Sequence, residues 1–177
     1  MGRAIEFMMA DRQNNLWSAY FDEGVYVDPV SAAGLVRWDS GGNRLWGYSA
    51  PQGVEYIDTV YAFNVLDRIA WATYYPTFPL LEVHADGRFR LRKNPVPSPL
   101  GMAVQGDQVL MLGSGPRDRR DRLHRCRMTA DEAVIVEEAE LTMPNGAPLK
   151  HYARPVGRGE RLYLRGTSPR QWYVLRV

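Results

Sequence analysis

The residue types able to do acid–base or metal chemistry fall in a few short stretches of the 177 residues. Residues 15–24 read NLWSAYFDEG, an apolar and aromatic run that ends in two adjacent carboxylates, Asp22 and Glu23, and a glycine. Residues 55–64, EYIDTVYAFN, bring Asp58, Tyr61 and Asn64 close together in sequence. Carboxylates and amides lining a channel can hold a divalent cation, with one further group as base. On that chemistry Glu23, Asp58 and Asn64 are the metal candidates, and His84 and Asp22 the catalytic ones. The structural alternative is a solvated turn whose carboxylates accept backbone N–H bonds. Successive strand residues face opposite ways, so Asp22 and Glu23 serve one site only if the strand has ended before them.

A second stretch, TYYPTFP at 73–79, is aromatic and bounded by proline. Tyr74, Tyr75 and Phe78 there form either a stacking surface for a sugar, a base or a peptide, or a rigid loop packed on its own sheet. The run GPRDRRDRLHRCR at 115–127 alternates acids with arginines. Asp118 and Asp121 offset the basic charge, which points to a solvated loop rather than a nucleic-acid patch. His84, His124 and His151 match no zinc spacing. Ser49, Ser98, Ser114 and Ser168 occupy no nucleophile elbow, and no glycine loop of phosphate-cradling type is present. Cys126 is the single cysteine, so neither an internal disulfide nor a multi-cysteine metal site can form. Its place in an alternating run predicts a buried filler rather than a reactive thiol.

The elements that must position these groups are short. Net charge is +2 and hydrophobic residues make up 45%, values of an ordinary globular chain with no strong field for nucleic acid or an anionic membrane. No apolar run approaches the roughly 20 residues of a membrane span, and residues 1–13 lack a signal-peptide pattern. The expectation is a cytoplasmic protein with neither nucleic acid nor membrane as partner. Helical periodicity is scarce. Short Val-, Tyr-, Trp- and Leu-rich runs alternate with turn signals such as DSGGN at 39–43 and ADG at 85–87.

The runs repeat. Hairpins at 34–48, 79–93 and 122–138 align with one another, a fourth begins at 171–177, and further hairpins lie between them. Equivalent second-strand positions are Trp17, Trp71, Leu110 and Tyr163. Units of about 40 to 50 residues with four antiparallel strands are the pattern of β-propeller blades. The expected fold is therefore all-β, a partial or small β-propeller of about four blades in a single domain, residues 1–177. The blades fall at roughly 4–50, 54–96, 100–142 and 150–177. Trp17, Trp38, Trp46, Trp71 and Trp172 are expected as wedges between blades. The last blade has sequence for only three strands, and residues 1–4 are too few to supply the fourth. The chain thus reads as the C-terminal part of a longer propeller, or as a half that self-associates through an exposed blade face or edge.

The segments NLWSAYFDEGVY, AAGLVRWDSGGNRLWGY, GVEYIDTVYAFNV and AWATYYPTFPLLEV resemble a group of uncharacterised bacterial propeller-like proteins. The resemblance covers most of the chain, best over 4–96, and implies a propeller fold without an activity. More loosely, the Asp-rich lead-in to a Leu-Trp strand is similar to that of sensor-type, WD-repeat-like propellers, streptogramin lyases and gluconolactonases. Fold does not carry function. The expected function is a non-catalytic module binding a small molecule or a protein through Glu23, Asp58, Tyr61, Asn64 and Tyr75. The alternative is a metal-dependent lactonase- or lyase-like hydrolase using channel carboxylates, with a divalent cation as its cofactor.

Overall fold

The computed structural model describes residues 1–113, 121–149 and 152–177. They form four antiparallel sheets arranged as a four-blade β-propeller, the all-β fold expected from the sequence. Blade 1 holds β1 (Ile5–Ala10), β2 (Leu16–Tyr20), β3 (Leu35–Trp38) and β4 (Arg44–Gly47), with one short helix, α1 (Asp22–Val27), between β2 and β3. Blade 2 holds β5 (Val60–Leu66), β6 (Ile69–Tyr74), β7 (Leu80–His84) and β8 (Phe89–Arg92). Blade 3 holds β9 (Gly101–Gln105), β10 (Gln108–Leu112), β11 (Arg122–Met128) and β12 (Ala133–Glu140). Blade 4 holds only β13 (Val156–Arg158), β14 (Arg161–Arg165) and β15 (Trp172–Arg176). Within each blade the strands pair in sequence order, so every link is a hairpin.

Local chemistry sets the hairpins. Asp39 Oδ1 accepts the N–H groups of Gly41 and Asn43 at 2.9 and 2.8 Å. Gly42 beside it sits at φ +84, where a side chain would be strained. Asp11 does the same for Gln13 and Asn15 before β2. The Asp-rich lead-in noted in the sequence is therefore turn chemistry.

Both faces of the middle blades are covered, which explains the weak apolar alternation in their strands. Phe7, Met9, Trp17 and Leu35 pack on Phe63, Val65, Tyr74 and Leu81 between blades 1 and 2. Trp71 and Leu80 meet Met102, Val104, Met111 and Cys126 between blades 2 and 3. Leu110 and Leu112 meet Leu162 and Leu164 between blades 3 and 4. Blades 4 and 1 meet instead through polar groups. Arg154 pairs with Glu6 and lies 4.5 Å over the Phe7 ring, and Arg158 donates to the Ala10 carbonyl.

Two tryptophans depart from the wedge expectation. Trp38 lies under α1 on the outer face of blade 1, with Tyr20, Val25 and Val36. Trp172 is exposed on the outer face of blade 4. Cys126 is buried, and burial pushes its thiol pKa up to about 11, as a core filler requires. The acid-and-arginine run was expected to be a solvated loop. Its residues 115–120 lie outside the described residues, as do Ser114 and His151, and from Arg122 onward it is strand β11, paired on both sides. Among the described residues no helix is long and apolar enough to cross a membrane.

Candidate ligand-binding site

The inner strands β1, β5, β9 and β13 surround the propeller axis, and the axis is filled rather than open. β13 packs on β5 and β9. Gly157 permits this approach, since a Cβ there would lie 1.9 Å from the Met102 carbonyl oxygen. Asn64, in the middle of β5 and fully buried, ties the three strands together. Its amide nitrogen donates to the Met102 and Gly159 carbonyls at 2.9 and 2.8 Å, and its oxygen accepts the Gly159 N–H at 2.7 Å. Both ends of the side chain are thus committed to backbone, and Asn64 is a staple between blades 2, 3 and 4.

The upper end of the axis is where the inner strands begin. A cleft of about 290 Å³ opens there, lined by Glu6, Phe21, Thr59, Tyr61, Leu100 and Arg154 among others. Beside it the β2–β3 connection turns into α1. The sequence placed Asp22 and Glu23 at a strand end in a solvated turn, whereas they form the first turn of α1. Carboxylates are favoured there by the exposed N–H groups of a helix start. Gly24 allows the turn to sit against the chain terminus, because a Cβ would lie 2.3 Å from the Arg3 carbonyl oxygen.

Hydrogen bonds join α1 to blade 2. The Asp22 N–H donates to Thr59 Oγ1 at 3.2 Å, and Thr59 Oγ1 donates to Asp58 Oδ1 at 2.8 Å. Tyr26 of α1 donates to the other Asp58 oxygen, which leaves the Tyr56 hydroxyl, 3.0 Å away, to donate to Tyr26. The bond to Asp58, followed by that from Tyr56, raises the Tyr26 pKa above the ordinary tyrosine value. On the other side of Thr59, Tyr61 meets Phe78 edge-on with centroids 4.9 Å apart, and Phe78 meets Tyr75 at 6.1 Å. Four rings at this end are well exposed: Tyr26 at 60%, Tyr56 at 58%, Tyr75 at 48% and Phe21 at 40%. Asp22, Glu23, Glu55 and Asp58 supply negative charge among them. Arg154, the basic group in the cleft, is held by Glu6, by the Phe7 ring and by the Tyr61 carbonyl at 3.4 Å.

Asp22, Asp58, Tyr61 and Tyr75 are therefore brought together, with Glu23 on the exposed rim. His84 is not among them. It pairs with Ile69 at the far end of blade 2, and seven strand residues at about 3.3 Å each put it ~20 Å from Asp58. Its ring nitrogen is engaged by Glu82 at 2.8 Å, and Glu82 binds Arg92 at 2.8 Å. The set Glu23, Asp58, Asn64 and His84 is thus dispersed over blades 1 and 2: one member is spent on backbone and one is at the wrong end. Among the described residues no three of His, Cys, Asp or Glu are grouped as a metal site. Sequence reasoning missed Tyr26, Tyr56, Phe21, Arg154 and Glu6. Arg154 and Glu6 carried no local signal, since they come from opposite ends of the chain.

The lower end of the axis holds a larger cavity, about 530 Å³, among the inner hairpin turns. Two of its three arginines face its two carboxylates, and the third, Arg158, donates to the Ala10 carbonyl. Arg12 pairs with Asp67 at 2.8 Å, and Glu160 accepts from Gln105 at 3.2 Å and lies 3.6 Å from Arg161.

No family model and no curated protein sequence matches this chain. Solved structures match it in fold. Virginiamycin B lyase from Staphylococcus aureus is 15% identical with a TM-score of 0.52, over 96% of this chain and 54% of that one. A chain of the Mitotic Checkpoint Complex is 9% identical with a TM-score of 0.53, over 92% and 47%. Kluyveromyces lactis Hsv2 is 10% identical with a TM-score of 0.53, over 98% and 49%. At such identities the likeness concerns the fold alone, and the chain spans about half the length of the structures it matches.

Proposed function

We propose that this propeller is a non-catalytic binding module whose recognition surface is the upper end of blades 1 and 2, and that it takes a cationic segment of a partner protein. The observation that carries the reading is the exposed pair Tyr26 and Tyr56, joined to Asp58 by hydrogen bonds, with Phe21 and Tyr75 exposed at the same end. Aromatic faces attract a cation through their quadrupoles, and the carboxylates of Asp22, Glu23 and Asp58 add Coulombic attraction. Arg154 does not oppose this, because Glu6 neutralises it.

A short tetra-arginine peptide titrated into the chain by calorimetry tests the reading. The chain carries net charge +2, so overall attraction does not favour a cationic probe and binding reports a local site. Asp58→Asn and Tyr56→Ala should each weaken binding about tenfold, or about 1.4 kcal/mol, with little change in stability because asparagine keeps the shape of Asp58 and Tyr56 sits at the surface. Binding that ignores both substitutions would sink the proposal. The metal-dependent alternative is tested by thermal unfolding in EDTA and then in excess Ca²⁺, Mg²⁺, Mn²⁺ or Zn²⁺. A native-state ligand at roughly 100 times its Kd adds about 2.7 kcal/mol. A rise of that size, abolished by Glu23→Ala, would replace the binding-module reading with the hydrolase one.

A further inference from the structure

Blade 4 is one strand narrower than the others, and its open edge has a defined hydrogen-bonding phase. The Gly166 N–H donates to the Gln171 carbonyl and the Val177 N–H to the Glu160 carbonyl. Hydrogen-bonded pairs alternate along an antiparallel ladder. With the β14–β15 register of Leu162 on Leu175 and Leu164 on Tyr173, residues 171, 173, 175 and 177 spend their backbone groups on β14. Trp172, Val174 and Arg176 therefore aim their N–H and C=O groups at the open edge, and among the described residues no strand pairs there.

Two further observations describe what belongs at that edge. Beside β15 lies a cleft of about 350 Å³, lined by Leu110, Leu123, Ala139 and the paired Arg125 and Glu137 of blade 3 and by Val174, Leu175 and Arg176. Its leucines and alanine offer apolar surface that a fourth strand would cover. The outer face of blade 4 is basic. Arg158, Arg161 and Arg176 stand opposite one another in one cross-strand row, and Arg165 stands opposite Trp172. Like charges directly opposed destabilise a sheet. Arg158 is relieved by the Ala10 carbonyl and Arg161 by Glu160, while Arg165 and Arg176 have no ion pair among the described residues. On this face Trp172 is 52% exposed and Val174 47%.

We propose that β15 receives one extended strand from a partner protein, a segment in which apolar residues alternate with acidic ones. Its backbone pairs with Trp172, Val174 and Arg176. Its apolar side chains enter the cleft toward Leu110, Leu123 and Ala139, and its carboxylates continue the arginine row beside Arg176. A lone segment fits this space. The β15 edge of a second copy would instead bring a second arginine row to an edge that already carries Arg165 and Arg176.

The test uses the whole chain with two short synthetic peptides, one alternating valine with glutamate and one alternating valine with lysine, while amide hydrogen exchange is followed. The glutamate peptide should bind and slow exchange at Trp172, Val174 and Arg176 about tenfold, leaving the amides of β14 unchanged. Val174→Pro removes an outward N–H and no bond to β14, which an edge strand tolerates, so it should abolish binding while the unfolding midpoint stays in place. Arg176→Glu should shift the preference to the lysine peptide, and it serves where the proline variant does not fold. Failure of both peptides to bind, equal binding of the two, or binding that survives Val174→Pro overturns the proposal. Protection of the same amides that grows with protein concentration alone assigns the edge to a second copy and overturns it equally.

Discussion

Asp11 shows how much one buried carboxylate carries. Its side chain is fully buried. One oxygen accepts the Gln13 and Asn15 N–H groups, and the other takes the Trp17 indole at 3.2 Å and Arg37 at 2.9 Å. Burial alone raises its pKa, but Arg37, the two backbone groups and Trp17 outweigh burial and hold it below the ordinary 3.8. A folded-state pKa under the unfolded one adds stability above the unfolded value and loses it as pH falls through the folded one. Stability in urea should thus decline below about pH 4. Asp11→Asn leaves Arg37 buried without a counter-charge, which should cost about 3–5 kcal/mol at pH 7, and its stability should fall less steeply toward pH 3. Parallel pH curves for the two proteins would refute the assignment.

At the scale of elements, α1 is the one that local sequence does not announce. Asp22–Val27 contains a glycine and two valines, poor helix formers, and runs under two turns. It is helical because Val25 closes over Tyr20, Val36 and Trp38, an apolar patch that blade 1 would otherwise leave in water. β13 is three residues long and exists by its fit against β5 and β9. Gly157→Ala, placing a Cβ 1.9 Å from the Met102 oxygen, should cost at least about 1–3 kcal/mol through forced backbone shift. Gly53→Ala is the control. Unlike Gly157 it has positive φ, but nothing lies within 4 Å of its added carbon, so it should cost only the left-handed penalty of about 1–2 kcal/mol. Urea unfolding of both variants measures the losses, and a Gly157→Ala loss below about 1 kcal/mol would mean that β13 does not need the close approach.

For the whole molecule the question is what makes four small sheets one unit. Three junctions are apolar, and the side chain of Asn64 spans the inner strands of blades 2, 3 and 4. Asn64→Ala leaves the Met102 oxygen and the Gly159 N–H buried without that partner, at about 1–3 kcal/mol each, while the Gly159 oxygen keeps the Val104 N–H. Against a total stability of about 5–15 kcal/mol, this one change should bring the chain near unfolding. Hydrogen exchange should rise first in β13 and β14, while β2 and β3 stay protected. Uniform loosening of all four blades would show that Asn64 holds no particular junction. The mixed junction of blades 4 and 1, built on Arg154 and Arg158, is the one where salt should matter.

The sequence by itself determined most of the strands, the hairpins, and the four units with three strands in the last. Those features are written in local terms: side chains alternating along a strand, and aspartates and glycines that suit particular turns. It also placed Asp58, Tyr61 and Tyr75 at one end of the second blade, because residues leading into and out of paired strands must lie at their ends. Only the tertiary structure decided what each polar group does. Asn64 and Asp58 are six residues apart and look alike as ligands, yet one is spent on three buried backbone groups and the other takes the hydroxyls of Thr59 and Tyr26 at a half-exposed surface. His84 reads as a base until the strand direction carries it to the opposite end. Arg154 and Glu6 meet across nearly the whole chain. Whether a polar atom is available or already satisfied depends on which distant segment packs against it, and spacing along the chain does not encode that.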